Sequence, residues 1–118
     1  MMRHAQAEIV SHWADSVINI GITELAIVGD FNDYPTRINN QTLEPIVNNP
    51  NLHFLTGDIR SCKFQFLFSI DHIVVSTETQ KRYVPNSAFI YDFYSMLTEE
   101  EAAQVSDHCP ISVQLKIK

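Results

Sequence analysis

The sequence has no apolar stretch approaching the roughly 20 residues needed to cross a bilayer. Its amino terminus, residues 1–6, also lacks the apolar core of a signal peptide and leads into an amphipathic pattern. We therefore expect no membrane segment and no export signal within these 118 residues. A chain of this length permits one domain with a modest core, and its 45% hydrophobic content is typical of a globular protein.

Basic residues are scarce. The 8 Lys and Arg residues, against 14 Asp and Glu, give a formal net charge of −6, and they do not cluster. Binding DNA by phosphate neutralisation needs clustered Lys and Arg, so the composition argues against that mode of binding. An acidic phosphoesterase can still act on a polyanion when a divalent cation supplies the local positive charge. The charge therefore disfavours an enzyme acting on nucleic acid without excluding it.

Cysteine is limited to Cys62 and Cys109, which are neither close in sequence nor in a metal-binding spacing. Cys109 stands at the start of an apolar segment, where a small buried thiol packs well. We predict that both cysteines are free thiols in the core. A disulfide between them is the less favoured alternative.

Hydrophobic periodicity predicts the secondary structure. Ile9, Trp13, Val17 and Ile20 recur at three- and four-residue steps, which predicts a helix over residues 3–20 with these side chains on one face. The other predicted elements are strands over 24–28, 52–55, 62–68, 70–76 and 111–117, a short helix over 40–47, a polar turn over 77–81, a partly extended loop over 83–94, and a helix opened by a capping box between Thr98 and Glu101.

Two of these strands make specific predictions about burial. The alternation in 62–68 predicts a half-buried strand whose phenylalanines, Phe64 and Phe66 among them, lie in the core. The strand 70–76 is apolar on both faces, which is typical of the middle of a covered sheet.

Polar residues stand at three junctions with apolar strands: Asp30 and Asn32 after the strand 24–28, Asp71 and His72 within the strand 70–76, and Asp107 and His108 before the last strand. Alternation along an extended chain directs Asp30 and Asn32 to one side and Phe31 to the other. Asp and Asn after a strand also form Asx turns routinely, so the first junction alone does not establish a functional site.

The three junctions, Gly29-Asp30-Phe31-Asn32, Ser69-Ile70-Asp71-His72 and Ser106-Asp107-His108, resemble in this order the endonuclease/exonuclease/phosphatase superfamily of metal-dependent phosphoesterases. The segments 83–88, 91–93 and 97–103 are similar to the ending of its deoxyribonuclease I branch. The resemblance covers nearly all of this chain but only the second half of the family domain. It implies an α/β protein of the α+β type: half of a four-layer sandwich, mostly antiparallel sheet with helices on one face, with residues 1–118 as the carboxy-terminal portion of the domain.

The resemblance also implies roles for five residues. Asp30 would orient or deprotonate the attacking water, and Asn32 would hold that water or donate to a phosphate oxygen. Asp107 would bind Mg²⁺ or Mn²⁺, and His108 would contact the phosphate or transfer a proton. Asp71 would pair with a ring nitrogen of His108 and favour the imidazolium. His72 is predicted to be a packed strand residue outside the site.

The chain departs from the family pattern in one important respect. The family's first half supplies an Asn, a Glu and a second His, and nothing before Ala26 offers that set. Two interpretations therefore stay open. In the first, the chain carries half of the active site of a phosphoesterase that acts on DNA or another phosphodiester. In the second, the chain is a non-catalytic remnant of the fold. It binds protein or forms a homodimer through the sheet that the missing first half of the domain would cover.

Overall fold

A computed structural model describes residues 2–37, 42–64 and 67–117. The chain has an α+β fold with antiparallel sheets, and none of its described helices is long and apolar enough to span a membrane. The helices are α1 (Met2–Asn19), α2 (Glu44–Val47), α3 (Thr77–Gln80) and α4 (Glu99–Val105), with a 3₁₀ turn at Phe93–Ser95. The strands are β1 (Ala26–Asp30), β2 (Leu52–Phe54), β3 (Asp71–Ser76), β4 (Phe89–Ile90) and β5 (Ile111–Ser112).

The predicted strand 70–76 is confirmed as β3, the centre of a three-stranded sheet in the order β1-β3-β2. Its neighbours both pair with it antiparallel. One face packs on α1 and α2 through Val74, and the other packs on the β4-β5 region through Ile73 and Val75. The expectation that the sheet is left uncovered is therefore wrong for β3, since these three side chains are buried.

The helix predicted over residues 3–20 is confirmed as α1, but its predicted face is wrong. Ile9 is 68% exposed and Trp13 is 53% exposed. The buried side of α1 is lined instead by small side chains, Ala7, Ser11 and Ala14. Small residues let α1 approach α2 closely. The Asn49 side-chain amide donates to Ser11 Oγ at 2.9 Å, which fixes the rotation of the helix. Periodicity alone could not detect either effect.

The predicted strand over 62–68 is wrong. Leu67 N donates to Phe64 O and Ser61 N donates to Leu67 O, each at 2.8 Å, so the described part of this segment forms a closed turn. Phe64 is 48% exposed rather than in the core, and the prediction for Phe66 lies outside the described residues.

The prediction of two free thiols is also wrong, because Cys62 and Cys109 form a disulfide bond. The bond spans 47 residues of sequence and packs against Phe93 and Ala102. The sequence spacing gave no sign of it, since the two cysteines meet only after β3 and the β4-β5 region have packed together.

Several predicted boundaries shift by a few residues. β1 starts at Ala26 and extends to Asp30, two residues later than predicted. The helix predicted over 40–47 is α2, whose second residue is Pro45; this position needs no backbone donor, so proline is well accommodated. The earlier part of that prediction, residues 40–41, lies outside the described residues.

The carboxy-terminal elements follow the predictions in part. The polar turn 77–81 contains α3, capped by the Ser76 side chain, and the loop 83–94 contains β4. The capping box between Thr98 and Glu101 is confirmed at the start of α4. The last strand is only the two residues of β5, with one further bridge between Tyr83 and Leu115.

Candidate active site

Two of the predicted site residues lie opposite each other on neighbouring strands of the central sheet. β1 and β3 run antiparallel in a register that places Asp30 directly opposite Asp71. Directly opposed residues of one face have Cβ atoms about 5 Å apart, and like charges in such a pair destabilise a sheet. A positive charge nearby would offset that repulsion. The third junction brings a histidine to this place.

His108 lies beside both carboxylates. Its Nδ1 is 2.6 Å from Asp71 Oδ2, and its Nε2 is 4.0 Å from Asp30 Oδ2. The predicted contact between Asp71 and a ring nitrogen of His108 is thus confirmed. The hydrogen bond to Asp71 raises the pKa of His108 above its ordinary value, with partial burial acting against it. Because a carboxylate accepts, the Nδ1 position carries the proton and Nε2 points toward Asp30.

The backbone around His108 explains how a distant segment reaches this place. Cys109 is bonded to Cys62, and Ile111 in β5 packs against Ile73 and Val75 of β3. On the amino-terminal side, the Tyr94 hydroxyl donates to the Ser106 carbonyl at 2.8 Å. The backbone is therefore anchored both before and after His108.

The two remaining predicted residues lie at the margin of this cluster. Asp107 Oδ1 is 3.7 Å from His108 Nε2, and the Asp107 side chain is 69% exposed. Asn32 has a positive φ of 59° and donates its backbone N–H to Asp30 Oδ1 at 2.8 Å. This is the Asx turn that the sequence left open, and it coexists with the approach of Asp30 to His108.

His72 supports the site from the opposite face of β3. It is fully buried, and its Nε2 donates to the Asp33 carbonyl at 2.9 Å, while Thr56 Oγ1 lies 3.0 Å from Nδ1. Burial lowers the pKa of His72, so the ring is neutral and Nδ1 accepts from the Thr56 hydroxyl. The prediction that His72 is a packed strand residue is confirmed. Its hydrogen bond holds the loop that follows β1.

Asp33 is a residue that the sequence interpretation overlooked. Its carboxylate is buried and accepts from the Thr42 hydroxyl, from Arg37 Nε and from the Tyr34 backbone N–H. Burial raises the pKa of Asp33, but these hydrogen bonds outweigh it and leave the pKa below its ordinary value. The carboxylate therefore fixes the loop after Asp30. The sequence did contain a sign of this role, because Asp33 is a third polar residue directly after Asp30 and Asn32.

A pocket of about 160 Å³ opens next to the cluster. Asp71, Asp107 and His108 line it, and so do Lys63 and Phe64 from the turn after Cys62. The pocket gives a small polar group access to the His108 ring. Among the described residues, Asp30, Asp71 and His108 also satisfy the spacing of a metal site, with ligand atoms within 4.8 Å of one another.

Comparison with known proteins finds relatives among deoxyribonuclease-like proteins. No family model matches the sequence. The chain is 28% identical to deoxyribonuclease-1-like 1 of Chlorocebus aethiops and 27% identical to deoxyribonuclease-1-like 1 of Homo sapiens, in each case over 116 aligned positions. The alignments cover 93% of this chain and 36% of each relative, so the chain spans about a third of their length. Over nearly its whole length, the chain is similar to the deoxyribonuclease I-like branch of the endonuclease/exonuclease/phosphatase superfamily.

Proposed function

We propose that this chain carries the carboxy-terminal part of the active site of a divalent-metal-dependent enzyme that hydrolyses phosphodiesters, with DNA as its substrate. The observation that carries the proposal is the meeting of Asp30, Asp71 and His108, which come from three separate segments of the chain. The similarity to two deoxyribonuclease-like proteins supports the choice of DNA among phosphodiesters.

His108 is the proposed group that contacts the phosphate. With Nδ1–H held by Asp71, Nε2 is the nitrogen that meets the substrate. An imidazolium at this position can bind a phosphate oxygen or give its proton to the departing oxygen. Asp71 favours that protonated form, as the raised pKa of His108 reflects.

Asp30 and Asn32 are proposed to act on the attacking water. Asp30 lies on the Nε2 side of His108, where its carboxylate can orient or deprotonate a water next to the phosphate. Its position is fixed by the sheet register with Asp71 and by the Asx turn. The Asn32 side chain would hold the water or donate to a phosphate oxygen.

Mg²⁺ or Mn²⁺ is the proposed cofactor, bound at Asp107. Mg²⁺ takes oxygen ligands and usually combines one or two carboxylates with water and phosphate oxygens. Asp107 offers an exposed carboxylate 3.7 Å from His108 Nε2, and a carboxylate oxygen is the type of donor that such an ion takes. A bound divalent cation neutralises charge on the phosphate. Because the family's Glu has no counterpart before Ala26, we expect this chain alone to hydrolyse DNA very weakly or not at all.

The proposal can be tested by replacing the matched segment of human deoxyribonuclease-1-like 1 with this chain. We expect the folded chimera to nick supercoiled plasmid with Mg²⁺ or Mn²⁺ and to stop when a chelator is added. His108→Ala and Asp30→Asn should each lower kcat by about a hundredfold or more. His12→Gln is the matched control, since His12 is exposed on α1. Full activity in the His108→Ala chimera would refute the proposed role.

A double variant tests whether Asp71 acts through His108. Asp71→Asn combined with His108→Ala should cost little more than His108→Ala alone, because the two side chains form one hydrogen-bonded unit. Additive losses would show that Asp71 and His108 act independently.

The second candidate function is a non-catalytic module that associates with itself or with another protein. The observation that favours it is the exposed apolar side chains of Ile9 and Trp13 on α1 and of Val28 on β1, an edge strand. Exposed apolar patches often mark interaction surfaces. Sedimentation at micromolar concentration would decide this: a homodimer disrupted by Trp13→Glu supports it, and a well-folded monomer that binds no hydrophobic dye contradicts it.

A further inference from the structure

The pocket beside His108 contains a cation that the proposed mechanism does not use. Lys63 lines this pocket of about 160 Å³ together with Asp71, Asp107 and His108. It is the one Lys or Arg among the described residues that line the pocket. Because basic residues are scarce in this chain, whose formal net charge is −6, a lysine next to the proposed site is a candidate for a functional role.

The disulfide bond brings Lys63 and His108 together. Lys63 directly follows Cys62 and His108 directly precedes Cys109, so the Cys62–Cys109 bond fixes the backbone next to both residues. Both half-cystines are buried, which ties this link to the core. The two residues thereby line one pocket, although they are 45 positions apart in the sequence (108 minus 63).

A local contact also orients the lysine. Lys63 Nζ lies 5.4 Å from the centroid of the Phe64 ring, within the range of a cation–π interaction. Phe64 lines the same pocket and is 48% exposed. The ring therefore restricts the ammonium group to the neighbourhood of another residue that lines the pocket.

We propose that Lys63 is a phosphate-binding residue, which contacts a phosphate group of the substrate in the pocket that it shares with His108, while His108 contacts the same group. An ammonium group binds phosphate as a compact charge with three donors. This inference rests on the proposed function for the identity of the substrate and extends it by one substrate-binding residue. The competing role for Lys63 is to balance the carboxylates of Asp71 and Asp107 without touching a ligand.

Binding experiments on the intact chain in the presence of a chelator test the proposal, since they need no hydrolysis. The probes are inorganic phosphate, followed by the NMR signals of the His108 ring, and a single-stranded DNA of about ten nucleotides. We expect Lys63→Met to weaken binding of both probes by about fivefold or more and Lys63→Arg to retain most of the affinity. Lys81→Met is the matched control. Lys81 pairs with Glu78 beyond the far end of β3, roughly 17 Å along the strand from Asp71.

The salt dependence separates a direct contact from an indirect one. Removing one phosphate contact to single-stranded DNA should reduce the slope of log K against log salt by about 0.7 in Lys63→Met and leave it unchanged in Lys81→Met. Unchanged affinity and slope in Lys63→Met would overturn the proposal, even if the chimera is an active nuclease. An inactive chimera together with Lys63-dependent phosphate binding would leave the subsite standing and refute only the proposed hydrolysis. Binding of inorganic phosphate but not DNA would identify a small phosphate compound as the ligand.

Discussion

Removing the disulfide bond should destabilise the chain substantially. In the loop-entropy treatment, the bond between Cys62 and Cys109 closes 47 residues, which removes about 14 cal/mol/K from the unfolded chain, or about 4 kcal/mol at 25 °C. Measured effects are usually 2–4 kcal/mol because unfolded chains retain structure. We therefore expect Cys62→Ser with Cys109→Ser to lower the free energy of unfolding by about 2–4 kcal/mol.

The measurement is urea unfolding of the double variant and of the wild-type chain with and without a thiol reductant. The reduced wild-type chain is the matched reference, because it lacks the bond but keeps both sulfur atoms in the cluster with Phe93 and Ala102. A further loss in the double variant beyond the reduced chain would measure the cost of burying two hydroxyl groups there.

Two results would refute this reasoning. A thiol count that finds two free cysteines in the oxidised, folded protein would show that the bond does not form. A loss below about 0.5 kcal/mol on reduction would show that the bond contributes little to holding Cys62 and its neighbours near His108. In either case the disulfide could not be what holds Lys63 near His108.

The remaining predictions concern the two buried or paired histidines and one helix cap. Asp71→Asn should lower the pKa of His108, because the hydrogen bond to the Asp71 carboxylate is the main cause that raises it; NMR titration of the ring checks this, and an unchanged pKa would mean that the pair does not form in solution. The raised pKa of His108 stabilises the fold below about pH 6.5, and this stabilisation is lost as the pH rises through the folded-state pKa. The lowered pKa of buried His72 acts oppositely, since stability is lost as the pH falls below about 6.5. In urea unfolding at constant ionic strength, Asp71→Asn should therefore lose more stability than the wild-type chain between about pH 8 and pH 6, and equal losses would contradict the assignment. Thr98→Ala should lower the free energy of unfolding by about 1 kcal/mol through loss of the α4 cap, while Thr98→Ser should keep the cap and most of the stability.

The sequence was sufficient to predict elements that depend on local pattern. The apolar run of β3 required a covered, central strand, and the spacing of Thr98 and Glu101 required a helix start. Both depend on residues within a few positions of one another. The three polar junctions could likewise be identified as a candidate site, because each couples an acid or histidine to a strand end.

The face that a helix buries was decided by tertiary contacts. The apolar stripe led by Ile9 and Trp13 predicted the wrong side of α1, because close packing on α2 favoured the small side chains around Ala7 and Ala14. The hydrogen bond from Asn49 to Ser11 then fixed that rotation. A sequence pattern records hydrophobicity but not the distance at which two elements pack.

The disulfide and the composition of the pocket were likewise decided only in three dimensions. Cys62 and Cys109 are 47 residues apart in sequence, and no local property of either predicts that the packing of β5 on β3 brings them together. That packing places His108 over Asp71 and, through the disulfide, brings Lys63 to the same pocket. Residue types along the chain limit which groups can act chemically at this site, and long-range packing selects which of them meet.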